Sequence, residues 1–214
     1  MKTVLKEVKK ELMQKDKVRE NAQESMRKAT SLSKQAILRI HQKKFEEARK
    51  LIENAREAIS RLQGLAEEYP EIIYSGMFSA ALQEHAEANI FLRLIEESRF
   101  VSPKELNVPA VDYVLGLADV IGEYRRLTLD ALREGNVAKG EKCLEIMDEM
   151  YIELMGMDEA YMLVPGLRRK CDVARKIIEI TRGDITQEVR RKSLEDYLRR
   201  FEQAQAKKRQ PRKG

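Results

Sequence analysis

Four carboxylates stand in two pairs, each spanning about one helical turn: Glu84 and Glu87 in "LQEHAEA", Asp119 and Glu123 in "LADVIGEY". Residues three or four apart share a helix face, so each pair aims its oxygens to one side. If the two helices are neighbours the four converge, and a hard divalent cation is what stabilises so many oxygens at one place. Phosphoryl transfer with one or two Mg²⁺ uses such a site to polarise a phosphate and activate water. A di-iron carboxylate centre would need Glu-x-x-His on two helices. The chain has two histidines, His41 and His85, and neither follows a Glu by three positions. His85 reads as an ordinary polar residue.

The surroundings of the acids sharpen the question. Stepping "SAALQEHAEANIF" by one hundred degrees per residue puts Met77, Ala80, Ala81, Ala88, Phe91 and Ile95 on one side, with Glu84 at their centre and Glu87 beside it. A carboxylate on a core face is costly unless paired, protonated or metal-bound. In "PAVDYVLGLADVIGEYRRLTLDAL" the core face is Val114, Leu117, Ile121, Tyr124, Thr128 and Ala131, and Asp112, Asp119, Glu123, Arg126 and Asp130 line the other. Gly116 and Gly122 flank the acids there, although Gly in a helix costs about 1 kcal/mol relative to Ala. Such glycines make sense where another backbone, an ion or a substrate comes close. Arg126, near one turn beyond Glu123, reads as a phosphate clamp, with a salt bridge that holds the acids in place as the alternative.

Helices must position these groups. Apolar residues at steps of three and four mark a first helix to about His41 and a second from Phe45, ended by Gly64 and Pro70. The third carries Glu84. In "SPKEL", Ser102 caps, Pro103 takes the first helical position and Glu105 completes a capping box. A further helix runs from Pro109 to Glu134, where "EGN" stops it; one follows Asn136; another follows "VPG" and ends at Gly183. A last one, "TQEVRRKSLEDYLRRFEQAQ", leads into a basic tail. No strand pattern occurs, and the fold class is all-α. Several stripes are wide enough to need neighbours on more than one side, which predicts a bundle buried further by self-association. Met147, Met150, Met155 and Met157 read as core filler.

Charged residues make up 36% of the 214 and apolar ones 43%, with no Trp, which suits helices with charged outer faces and excludes a disordered chain. The net charge of +5 is lopsided: from Thr186 onward ten Lys and Arg face four Asp and Glu. "AKKRQPRKG" therefore attracts polyanions or simply solubilises. Cys143 and Cys171 have no metal or redox spacing and read as free thiols. Without a signal peptide or an apolar run of membrane-spanning length, a soluble cytoplasmic protein is expected, with no membrane partner.

"ALQEHAEA" followed by "VDYVLGLADVIGEYRRL" resembles the translin and Trax family, its catalytic Trax branch in particular; the compactness of the chain suggests an archaeal member. "RKATSLSKQAILRIH" is similar to the family's first helix and "GLRRKCDVARKIIEITRG" to its last. The resemblance implies a seven-helix translin-like bundle over residues 1–184, an extra C-terminal helix and tail over 185–214, and a hollow oligomeric shell of eight copies. It also implies a Mg²⁺-dependent endoribonuclease, with Mn²⁺ as a substitute, cutting single-stranded RNA. Single-stranded DNA is a further ligand of the family. Glu84, Glu87, Asp119 and Glu123 match its catalytic and metal-binding acids. Arg126 matches a family arginine, and Arg27 and Lys34 on the first helix are candidates to track an RNA backbone. The alternative is a translin-like shell that binds single strands without cutting them.

Overall fold

The computed structural model of the chain describes residues 1–209, with side chains through 205. Among these there is no strand. The elements are α1 (Lys2–His41), α2 (Phe45–Leu65), α3 (Pro70–Ile73), α4 (Gly76–Glu97), α5 (Pro103–Leu106), α6 (Ala110–Arg133), α7 (Val137–Met155), a 3₁₀ turn (Asp158–Ala160) and α8 (Leu167–Arg209). The boundaries follow local chemistry. Ser102 and Glu105 form the expected capping box, with Pro103 in the first turn of α5. Asn136 caps α7 by accepting from the Lys139 backbone N–H at 3.1 Å. Gly135 and Gly166, at φ +74° and +93°, supply the left-handed residues that end one helix and precede another.

The two helices anticipated at the C-terminus are one: α8 passes through Gly183 without a break and spans 43 residues. A lone helical Gly costs about 1 kcal/mol, too little to stop a run of Arg, Lys, Glu and Leu that contains no Pro. The side chains of the basic stretch "AKKRQPRKG" lie outside the described residues.

The chain forms two compact units. The first comprises residues 1–120 and 157–170. Within it α1 packs on α2 and α4, and α2 on α4. α1 buries Ala22, Met26, Ala29, Ser33, Ala36 and Ile40 along one face, and α2 buries Ala48, Ile52, Ala55, Ile59 and Leu62. The many alanines let helix axes come close while the larger side chains interdigitate. The second unit comprises residues 121–156 and 171 onward. Its core includes Leu132, Val137 and Ile185 with Leu144 against them, and buried Met147 and Met150. Met155, read as core filler, is exposed instead. Arg125 donates to Thr181 Oγ1 at 2.6 Å and pairs with Asp184 at 3.5 Å, tying α6 to α8. Cys143 and Cys171 are buried, and neither is in a disulfide. Among the described residues no helix is long and apolar enough to cross a membrane.

Candidate active site

α4 is buried almost all round, by Phe78, Ala81, Leu82, Ala86, Ile90, Phe91 and Leu94 among others. That corrects the face expected for Glu84. Met77 and Ala80, two turns and one turn before it, are exposed, and Glu84 keeps 24% of its side chain accessible. Apolar residues surround this helix so evenly that periodicity cannot choose the core side. Glu87, by contrast, is 7% exposed and His85 only 2%. The ordinary polar residue of the sequence reading is thus a core histidine, bonded through Asn89, and burial, then the nearby Arg56 charge, pushes its pKa down to about 4.

Gly116 explains how α6 reaches α4. A Cβ at this position would lie 2.6 Å from the Gln83 carbonyl oxygen and 3.1 Å from the Glu87 backbone nitrogen, so it is the approach of another backbone that requires glycine. Around Gly122 nothing lies within 4 Å of where a Cβ would be. Asp112, expected on the solvated face of α6, is 6% exposed and accepts from the Ser79 hydroxyl and, at 3.4 Å, from Gln83. Two hydrogen bonds from α4 stabilise its charge where the helices meet.

One turn beyond Gly116, Asp119 is held by a residue that sequence reasoning passed over. Lys170, in the first turn of α8, donates from Nζ to Asp119 Oδ1 at 2.6 Å and to Oδ2 at 2.5 Å. Lys34 of α1 pairs with Glu84 at 3.3 Å. Burial raises the Glu84 carboxyl above its usual range; the Lys34 charge opposes this, the Asp119 charge adds to it, and Lys170 again opposes. Glu84, Asp119 and the two lysines therefore act on one another inside the first unit. Glu123 and Arg126 belong to the second; along α6 they follow Asp119 by one and two turns, and Arg126 is exposed. The hard oxygens of Glu84 and Asp119 suit a divalent cation. Among the described residues, however, no three His, Cys, Asp or Glu side chains are grouped to hold one. Lysines supply the compensating charge.

Arg27 and Lys34 line one cleft, of about 580 Å³, together with Thr30, Ser31, Gln35, Leu38, Met77 and Ala80. Since Lys34 also reaches Glu84, the cleft adjoins the acids. Lys170 gave no local signal: it is 51 residues from its partner, and only a fold joins them.

A helical bundle of this connectivity, with acids of α4 and α6 brought together across Gly116, has known counterparts. The translin family model matches residues 17–181. The chain belongs to the translin family. An uncharacterized protein from Methanocaldococcus jannaschii is 35% identical to this translin-family chain over 193 residues, 89% of the chain and 85% of that protein. The crystal structure of AfC3PO has a TM-score of 0.76 at 34% identity, covering 86% of this chain and 96% of that one. A structure of AfC3PO in complex with duplex RNA gives 0.75 at 34% identity over 86% and 95% of the two chains. Apo-NeC3PO, at 24% identity, a TM-score of 0.78 and coverage of 86% and 96%, shares the fold.

Proposed function

We propose that this chain is a metal-dependent endoribonuclease that acts on single-stranded RNA from within a closed oligomer. The observation that carries the reading is the meeting of Glu84 and Asp119, from two different helices, within mutual electrostatic reach and beside the Arg27–Lys34 cleft. Structural acids are usually dispersed on a solvated surface; paired acids at a helix crossing are what a phosphoryl-transfer site needs. Glu84 and Asp119 would offer the ion its oxygens, with Glu87 and Glu123 as the further acids that the family resemblance assigns, and the ion would supply a Lewis acid for the phosphate and lower the pKa of bound water. Arg27 and Lys34 would track the RNA backbone, and Arg126 would neutralise charge developing on the phosphate. The duplex RNA bound by AfC3PO supports RNA as the ligand class. The assembly, eight copies in a hollow shell, follows the family resemblance.

A second reading, an RNA-binding oligomer without catalysis, draws on the lysines that already compensate the acids. One experiment separates the two. A fluorescent single-stranded RNA is incubated with the full chain in Mg²⁺, in Mn²⁺ and in EDTA, beside Asp119→Asn. Metal-dependent cutting that Asp119→Asn abolishes supports the nuclease; retention of uncut RNA in every arm supports the binding module.

A further inference from the structure

The buried His85 ring has one hydrogen-bond donor more than its neighbours can accept. Only 2% of the residue is exposed, and burial, with the Arg56 charge, holds its pKa at about 4. The ring is therefore neutral at pH 7, with a proton on one nitrogen and a lone pair on the other. Against both stands the Asn89 amide nitrogen, 3.4 Å from Nδ1 and 3.3 Å from Nε2. It also donates to the His85 carbonyl oxygen at 2.8 Å, which fixes the orientation of the amide. An NH₂ group can donate to the ring's lone pair but cannot accept its N–H, whichever tautomer is present. Buried donors are seldom left so. Asn89 Oδ1, for its part, accepts no hydrogen bond from the described side chains.

Both residues line a cleft of about 670 Å³ in the first unit, bounded by α2, α4 and residues 99–106. His85 lies about a hundred degrees around α4 from Glu84, so this is a different face of the helix from the acids. Buried Ile52, Leu92 and Val101 give the cleft an apolar wall, and Lys50, Arg56 and Arg93 add cations. Glu53 takes Nε and Nη2 of Arg56, and Glu97 takes Nη1 of Arg93, which leaves each guanidinium with further N–H donors. The acids that line the cleft, Glu46, Glu53 and Glu105, are each already bonded to an arginine. We propose that this cleft is a nucleotide site: the pairing edge of a nucleobase accepts from the His85 ring and donates to Asn89 Oδ1, the base lies on the apolar wall, and the 5′-phosphate meets Arg56, Arg93 and Lys50. Unpaired bases are read on this edge and stack on apolar or guanidinium surfaces, and phosphates suit the arginine fork. Every nucleobase sets an acceptor beside a donor there, so nucleoside monophosphates are bound as a class. The volume is that of an ordinary small-molecule site. No metal enters this reading, and it stands or falls apart from the nuclease.

The test is isothermal titration calorimetry of the full chain in EDTA, with adenosine 5′-monophosphate, adenosine and inorganic phosphate as separate titrants. The monophosphate should bind once per chain, about tenfold more tightly than either fragment. Arg93→Gln alters an exposed ion pair, so the fold should hold, and circular dichroism checks this. It should weaken the monophosphate about five- to tenfold and leave adenosine unchanged. Asn89→Leu should weaken monophosphate and adenosine alike and leave phosphate unchanged; if it does not fold, Arg93→Gln decides alone. The inference falls if the parent binds no monophosphate at millimolar concentration, or if phosphate alone or adenosine alone binds as tightly. It falls too if Arg93→Gln matches the parent. A loss in Lys34→Gln that Arg93→Gln does not share would put the nucleotide in the cleft beside Glu84 and overturn it as well.

Discussion

Gly116 and Gln83 are pressed together where α6 crosses α4: a methyl group added at Gly116 would stand 2.6 Å from the Gln83 carbonyl oxygen. Nothing of the kind surrounds Gly122, six residues further along the same helix. The two glycines occupy similar helical positions, and their substitutions should have opposite signs.

Gly116→Ala gains about 1 kcal/mol of helix propensity but drives a Cβ into backbone that cannot swing aside, which typically costs about 1–3 kcal/mol. Net destabilisation is expected. Asp119 lies one turn on, so its distance from Glu84 should grow and metal-dependent RNA cutting should fall. Gly122→Ala meets open space and should stabilise by up to about 1 kcal/mol. Urea unfolding of both variants checks the signs. Should Gly122→Ala also lose cleavage while gaining stability, its open face is where substrate comes.

His85 should make the fold acid-sensitive. Its pKa falls from 6.5 to about 4 in the folded chain, so the unfolded chain takes up a proton first as pH drops. The stability it contributes is therefore complete above pH 6.5 and is lost as pH falls towards 4, an amount on the order of 3 kcal/mol for a shift of this size. Urea midpoints of the parent should decline across that window more steeply than those of His85→Gln. Parallel declines would show that other groups govern the acid limb.

Glu84 runs the other way. Its folded pKa is raised, chiefly by burial, so the stability it contributes is present at acid pH and is lost as pH rises through the folded value. Glu84→Gln should then gain on the parent between pH 4 and pH 7 in metal-free thermal scans. Asp119→Asn breaks the pair with Lys170, whose partners are 39% and 28% exposed, and should cost about 1 kcal/mol or less. Both variants should lose metal-dependent cutting. A loss of several degrees in EDTA by both would mark the acids as members of a structural network.

Helix ends and the faces of α1 and α2 were legible because each follows a local rule: capping groups, left-handed glycines, or one apolar stripe against solvent; on α6 the stripe was read but the burial of Asp112 was not. The face of α4 was not, since a helix buried nearly all round carries no directional pattern. For the same reason His85 passed as an ordinary polar residue. The partnership of Gly116 with the α4 backbone was half visible, as a helical glycine in want of a reason. Lys170 was invisible in its role because an ion pair across 51 residues leaves no trace in spacing. The continuity of α8 was misread because a glycine was weighted as a stop without the residues around it.

The last prediction concerns apolar surface. Val4, Leu5, Val8 and Leu12 of α1 are exposed, and so are Leu194, Leu198 and Phe201 of α8. Both sets recur at helical spacing, and both lie outside the matched residues 17–181. Two such stripes are costly to leave in water and mark surfaces that another chain covers. The full chain should therefore run in multiples of 24.8 kDa by light scattering, with eight copies as the expected assembly. Leu194→Gln with Leu198→Gln removes apolar area from one arm without touching a packed core, so helicity should persist while the mass falls. Because the Arg27–Lys34 cleft and the acids are built within one chain, RNA retention per chain should weaken far less than assembly does. A parent that is monomeric at micromolar concentration would refute the shell, and a double variant that keeps the parent's mass would move the contact to α1.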